Sequence, residues 1–395
     1  MITTLFRYFN LTCITLFMLV VLSFALAYLF PGDSTLNLFG AEFIQDQPTL
    51  MLVAEQNNVV MAFGYYVQAL FAGEWGVSFT TGNALYPDIM RLLPATLELS
   101  IYAVAIALLV GIPLGFIAGM QYHKKLDSIF MSSSMMMYSF PVFWLALLLI
   151  LLVSIQAQWL PMSGRLSLLF DIPHRTGFIL LDIALSDLPY KRAAFYDALQ
   201  HLILPTLSVS FIAFAVFLRT TRRSVADVLE TQYIKCAQTR GLPASTIFFR
   251  HILRNALLPV LPLLALQIST LLTNVMIVET IFSWPGIGDW LIQAIYERDF
   301  PAIRAGMLLV AMVALVITLS LKCLTQLIDP TRDRFAYATH YFVLRRTSSD
   351  PTARHLALAS PTSSPGCGLG EINLLSPYRH NSSEFNTIPP YHHTK

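Results

Sequence analysis

Apolar residues fall in six long blocks, at about 9–30, 99–121, 136–158, 201–218, 259–282 and 303–324. Each approaches the roughly 20 residues that a helix needs to cross a bilayer. Lipid offers backbone groups no partner, so each block predicts a membrane-spanning helix. The third lies inside an uncharged run from 128 to 164, which leaves its borders soft. The fourth, HLILPTLSVSFIAFAVFL, is short and holds Pro205. Between the blocks, 33–98 and 165–200 read as loops on one side, the first containing the turn-rich GEWGVSFTTG at 73–82. From 336 onward Ser, Thr, Pro and His dominate, apolar periodicity stops, and disorder is expected. Arg7 followed by an apolar run and Ala25-Leu26-Ala27 imitates a signal peptide. The 25 uncharged residues 8–32 are nevertheless long enough to span, so an uncleaved first span is expected.

Composition agrees with a polytopic membrane protein. Of 395 residues, 55% are hydrophobic and 12% charged, about half the charged share of soluble domains. A net charge of +2 suggests no nucleic-acid partner. Six spans place both termini on one side. That side carries 18 Lys and Arg against 7 on the other, with acids distributed 8 against 15. The compact 219–254 connector alone has seven Lys/Arg against Asp227 and Glu230, so the positive-inside rule makes its face cytoplasmic. Trp75, Trp159, Trp284 and Trp290 then fall at outer span ends, where interfacial anchors sit. Cys13, Cys236, Cys323 and Cys367 form no C-x-x-C, and Cys13 and Cys323 read as small buried hydrophobes.

Several chemistries are missing. The 18 glycines complete no phosphate-cradling G-x-x-x-x-G-K-[ST], and neither H-E-x-x-H nor G-x-S-x-G occurs. His392-His393 lie in the tail, and no metal site is expected there. The cores of spans 2 to 6 are almost free of the ionisable side chains that ion-coupled carriers use. Glu279 and His201 lie near span ends and read as interfacially solvated. The pattern is a transport path with no energy source of its own. Gly111-Ile-Pro-Leu-Gly115 and Gly119 line one helical face, with Pro113 expected to bend the helix. The face serves either tight packing within the chain, the simpler reading, or a subunit interface.

The connector YIKCAQTRGLPASTIFFRHILRNALLP (233–259) reads as two helices broken at a glycine. Ser224-Val-Ala-Asp227 offers a cap for a helix running to Arg240, with Tyr233, Ala237 and Arg240 on one face. Gly241 is placed to end it in a left-handed conformation, and Leu242-Pro243 stops continuation. Ser245 can cap a second helix through Phe248, Phe249 and Ile252. This basic elbow serves either lipid contact or docking to a cytoplasmic partner.

CAQTRGL (236–242) resembles the cytoplasmic EAA loop of ABC-importer permeases, with Lys235 and Cys236 in place of that loop's Glu and Ala. RHILRNALLP is similar to the form in the oligopeptide, dipeptide and nickel branch. Further stretches resemble the same branch in the same order: LPATLELS (93–100), GIPLGFIAG (111–119), FPVFWLALLL (140–149), LPMSGR (160–165), HLILPTLSVS (201–210), ETIFSWPGIGDWLIQAI (279–295), RDFP (298–301) and DP (329–330). The outer loop SGRLSLLFDIPHRTGFILLDIALSDLPY is similar to that of Sap-type and dipeptide permeases, with the Sap type preferred. The resemblance covers about residues 1–335.

It implies an all-α polytopic membrane protein with six transmembrane helices and the type I ABC-importer permease fold. Residues 1–92 would hold the first span and a periplasmic segment, 93–330 the transmembrane core, and 336–395 a disordered cytoplasmic tail. Tyr233, Lys235, Ala237, Arg240, Gly241, Leu242, Arg250, Asn255 and Pro259 would form the ATPase-docking loop. Glu279, Trp284, Pro285, Gly286 and Gly288 would form an outer-face motif. The chain would bind no cofactor and catalyse no reaction, since ATP would be used by two ABC ATPase subunits. A second homologous permease, a periplasmic substrate-binding protein and the bilayer would complete its partners, in a bacterial inner membrane. The implied function is peptide uptake, with antimicrobial-peptide resistance. Putrescine, dipeptide or nickel transport is the alternative within the branch. An ion-coupled carrier or a membrane scaffold is the alternative outside it.

Overall fold

A computed structural model describes residues 2–40 and 59–328. The chain divides into Met1–Arg332 and Asp333–Lys395, so the tail for which disorder is expected lies outside the described residues, as does the DP pair at 329–330. The described residues are almost entirely helical. In order they form α1 (Ile2–Leu29), α2 (Ser34–Phe39), α3 (Val59–Ala72), α4 (Leu85–Met120) and α5 (Lys125–Ser139). Then come α6 (Val142–Leu149, continued by π-helical turns Ile150–Gln156), α7 (Ile179–Ala184), α8 (Lys191–Leu229) and α9 (Gln232–Thr239). The limb α10 is built from Ala244–Thr246, π-helical Ile247–Ile252 and Leu253–Leu257. α11 (Val260–Ile281), α12 (Ile287–Glu297) and α13 (Phe300–Ile328) complete the series.

By length and composition, five helices among the described residues can cross a membrane: 6–29, 85–120, 191–229, 244–267 and 300–328. A sixth crossing exists if α5 and α6 are one span, which is bent by 97°. The third expected span is therefore not one rod. Pro141 lacks the N–H that would continue α5, and it restricts Phe140 before it to an extended conformation (φ −84°, ψ 129°). A new helix starts directly after the proline.

Two helices are longer than their apolar blocks. α4 has 36 residues and α8 has 39, about 54 and 58 Å at 1.5 Å per residue. The hydrocarbon core is about 30 Å, so both run well past it. The reason is visible in LYPDIMRLLPATLELS: Leu85, Ile89, Ala95 and Leu99 are buried while Pro87 and Arg91 are exposed. Residues 85–98, read from sequence as loop, are thus amphipathic helix. α8 likewise begins within the second expected loop, burying Ala194, Ala198 and Leu202.

The glycines of α4 pack within the chain. A Cβ at Gly111 would lie 3.1 Å from the Phe214 carbonyl oxygen, one at Gly115 2.7 Å from that of Leu218, and one at Gly119 2.8 Å from that of Arg222. All three neighbours are backbone of α8. Around this contact Leu99, Ala103, Ala107, Phe217, Val275, Phe282 and Trp284 form the main core. A second core joins α12 and α13 to the start of α4 through Ile89, Ile287, Ala305 and Leu309.

α1, α2 and α3 pack together through Phe24, Ala27, Leu38 and Tyr66, and α1 and α2 lie against α13. There Arg304 is fully buried and donates to the Tyr66 hydroxyl (2.9 Å) and to the carbonyls of Leu38 (2.7 Å) and Trp75 (2.8 Å). Tyr66 also bonds Ser23 at 2.8 Å. A buried guanidinium is tolerable only with such partners. Two expectations are corrected. Cys13 is exposed and Cys323 half-buried rather than buried, because an outward apolar face suits lipid as well as a core does. Trp75 and Trp284 are core residues, whereas Trp159 is exposed.

The close approach can be tested by overpacking. Gly115→Leu and Gly119→Ile should each destabilise the protein by about 1–3 kcal/mol or more, read as a lower thermal midpoint in detergent. Gly64→Ala, on α3 with nothing within 4 Å of its Cβ, should leave the midpoint unlowered or raise it slightly.

Candidate functional site

At the basic end of the bundle α8 stops at Leu229. Thr231 turns extended (φ −67°, ψ 147°), and α9 begins. It ends in a Schellman arrangement. Gly241, at φ +73°, donates its N–H to the Gln238 carbonyl at 2.9 Å, and Leu242 donates to Ala237 at 3.3 Å. Leu242-Pro243 then leads into α10. The glycine corner and the second limb through Phe248, Phe249 and Ile252 stand as expected. Both expected serine caps do not. Ser224 lies buried inside α8, and its hydroxyl donates to the Ala256 carbonyl at 2.8 Å. Ser245 is inside the first turn of α10, where Pro243 (φ −63°, ψ 143°) takes the capping position.

A small core holds the elbow: Ile234 and Ala237 from α9, Ile247, Ile252 and Ala256 from α10, Val225 from α8 and Phe116 from α4. Ala237 therefore faces inward. Lys235, Arg240, Gly241, Leu242, Arg250 and Pro259 are exposed. Tyr233 is exposed at the edge of the small core, and its hydroxyl accepts from Asn255 Nδ2 at 2.8 Å. Beside the elbow an open hollow is walled by Thr220, Arg223, Asp227, Thr231, Asn255 and Pro259. The geometry presents a short cationic corner, convex and braced from behind, with no group arranged for bond-making chemistry.

At the opposite end, here termed outer, one turn of α4 receives three other segments. Glu98 is fully buried and accepts from Arg165, through Nε at 3.1 Å and through Nη2, and from the N–H groups of Ile179 and Leu180 at 3.3 Å. The Arg165 guanidinium lies 5.5 Å from the Trp284 ring centroid and also donates to the Gly177 carbonyl. Trp284 Nε1 donates to the Ala95 carbonyl at 3.1 Å, and Ile287 N–H donates to Thr96 Oγ1 at 2.8 Å.

Glu279 accepts from Gly288 N–H at 2.7 Å and Asp289 N–H at 3.3 Å, at the N-terminus of α12, where helix N–H groups need an anionic partner. A Cβ at Gly286 would collide with the Glu279 carboxylate, and one at Gly288 with the Met276 backbone. Glu279, Trp284, Gly286 and Gly288 thus form one unit, while Pro285 stays exposed.

Glu279 and His201 are not solvated at an interface. Glu279 is fully buried, and His201 Nδ1 lies 2.8 Å from the Asp197 carbonyl and 3.3 Å from its carboxylate. Glu98, Arg165 and Arg304 carry no signal of a role in the sequence pattern. The first two stood in recognisable stretches, LPATLELS and LPMSGR, but their pairing crosses 67 residues. Nearby, Asp182 accepts from the N–H groups of Thr176 (2.7 Å) and Gly177 (3.0 Å) and from the Thr176 hydroxyl (2.6 Å). Burial pushes its carboxyl up, but these bonds outweigh it and hold the group below the usual carboxylate range. Among the described residues no group of three or more His, Cys, Asp or Glu could hold a metal ion.

Residues 111–334 match the family model described as "Binding-protein-dependent transport system inner membrane component". The chain is 39% identical to the di/tripeptide transport system permease protein DppB of Pseudomonas aeruginosa, over 84% of this chain and 98% of that protein. It is 38% identical to the Escherichia coli K12 putrescine export system permease protein SapB, over 86% and 99%. It is 34% identical to the Escherichia coli K12 dipeptide transport system permease protein DppB, over 84% and 98%.

Removing one partner of a buried ion pair strands the other. Arg165→Ala should cost about 3–5 kcal/mol, read as a lower thermal midpoint in detergent. The double variant Glu98→Leu/Arg165→Leu should recover much of the loss, which a thermodynamic cycle on the same midpoints would measure.

Proposed function

The chain belongs to the binding-protein-dependent transport system inner membrane components, and from that premise we propose that it is the path-forming subunit of an ATP-driven peptide transporter. It shares the path with a second, homologous permease. Of two ATPase subunits in the complex, one grips its elbow, and a periplasmic binding protein delivers cargo at the outer end. The chain binds no cofactor itself; ATP is bound and spent by its partners. In this reading the core spans 93–330, after a first span and periplasmic segment in 1–92, and residues 336–395 form a cytoplasmic tail.

The observation that carries the reading is the elbow. Lys235, Arg240, Arg250 and Arg254 stand exposed on a corner fixed by Gly241, in a chain with no phosphate-binding loop. A lipid contact needs positive charge but not a defined corner. An engine held elsewhere needs both. The excess of Lys and Arg on this face puts the elbow in the cytoplasm. With α5 and α6 counted as one crossing, both termini lie there too, in a bacterial inner membrane.

Peptide is the preferred cargo, since the relatives at 39% and 34% identity carry di/tripeptide and dipeptide in their names. The name of the 38% relative favours putrescine as a second reading. The outer motif of Glu279, Trp284, Gly286 and Gly288 is buried and shapes the outer end from within, and Pro285 alone of the motif reaches the surface there.

Gly241→Asp tests the docking. No atom lies within 4 Å of a Cβ there, so the cost is left-handed strain on the order of 1 kcal/mol plus a misplaced negative charge. In mild detergent from native membranes, an ATP-hydrolysing subunit should co-purify with the wild type and be several-fold depleted from the variant. Absence of an ATPase from both samples would contradict the reading and turn attention to an ion-coupled carrier.

A further inference from the structure

The two limbs of the elbow meet at one directional contact that docking itself does not require. Asn255 Nδ2 donates to the Tyr233 hydroxyl at 2.8 Å, across 22 residues of chain. The Tyr233 ring lies 6.3 Å from that of His251. The adjacent Ala256 carbonyl receives the Ser224 hydroxyl, so consecutive residues of α10 hold α9 and the end of α8. The Ser224 bond is buried and belongs to the fold. The Tyr233 bond is exposed, where water competes for both partners and little net stability is gained.

What that bond supplies is a fixed separation between limbs that are otherwise joined by apolar packing alone. The remaining contacts between them are apolar, through Ile234, Ala237, Ile247 and Ile252, and apolar contacts are non-directional. The corner at Gly241, Leu242, Pro243 and Ala244 is exposed throughout, with nothing within 4 Å of a Cβ at Gly241. α9 has eight residues, too few to hold its shape alone. A force on α9 would therefore be lost as bending at the corner. The second limb, by contrast, leads through Pro259 directly into α11, whose far end carries Glu279.

We propose that the Tyr233–Asn255 hydrogen bond is a strut that makes the two limbs move as one, so that displacement of α9 reaches α11. This rests on the reading of the elbow as the ATPase-docking site, and it makes Tyr233 and Asn255 positioning residues rather than docking contacts.

The test has two parts, using Tyr233→Phe, which keeps the ring against His251, Asn255→Ala, and the double variant. Hydrogen exchange of the Gln232–Thr239 amides in the purified full-length chain needs no ATPase. It should accelerate about two- to threefold, the low end of the range that loss of one such bond allows, and the double variant should be no faster than either single. In the reconstituted complex, di-alanine moved per ATP hydrolysed should fall several-fold while the amount of bound ATPase stays at the wild-type level. Unchanged exchange overturns the strut, as does additive behaviour in the double variant. Loss of bound ATPase makes Tyr233 a docking contact and also overturns it. Should the wild type bind no ATPase, the docking reading fails, and with it the strut's role in transport. The exchange result then still decides whether the bond braces the elbow.

Discussion

The structure depends on the close approach of α4 and α8, where Gly111, Gly115 and Gly119 let one backbone settle against the other. In lipid, apolar side chains gain little from leaving the surrounding tails, so helices associate through tight packing and polar contacts. Three glycines at four-residue spacing provide that packing between the two longest helices of the described chain. Everything with a candidate role is attached to this pair. The outer end of α4 carries the turn Ala95–Glu98, which receives the Arg165, Trp284 and Ile287 segments. The inner end of α8 stops just before the elbow and holds it through Ser224.

Four buried ionisable side chains each meet protein donors or acceptors in place of water. Glu98 has Arg165 and two amides, Glu279 has the start of α12, and Arg304 has two carbonyls and a tyrosine hydroxyl. At the basic end Asp127 takes Arg222 through both oxygens, at 2.8 and 2.7 Å, with the Tyr122 ring 4.4 Å beneath the guanidinium. Stranding any one of these charges would be costly, so they pin loops to helix ends. The elbow is different. Its charges are exposed and its corner unpacked, the features of a surface that meets another protein.

Much of this was legible in sequence, and the failures have physical causes. Apolar blocks mark the hydrocarbon but not where a helix stops, so the amphipathic extensions of α4 and α8 were read as loops. Pro141 broke the third span because proline acts on the residue before it as well as on its own N–H. Gly241 was readable because a left-handed helix end needs glycine. Ser224 is no cap because tertiary contact gives its hydroxyl to Ala256, and Ser245 is none because Pro243 already holds the capping position. Glu279 looked solvated because nothing local announced that the α12 amides would fold back over it. The Glu98–Arg165 pair is non-local, and no periodicity points to it.

The account's central claim is that the chain is driven through its basic elbow by an ATPase it does not contain. The most direct measurement places a photo-cross-linking amino acid at Lys235 or, as a control, at exposed Leu168 in the outer loop, and identifies what each captures in intact cells. An ATP-hydrolysing protein should be captured at Lys235 and none at Leu168. An ATPase captured at Leu168 would reverse the orientation. No ATPase at Lys235, with the cross-linker shown to react, would contradict the claim.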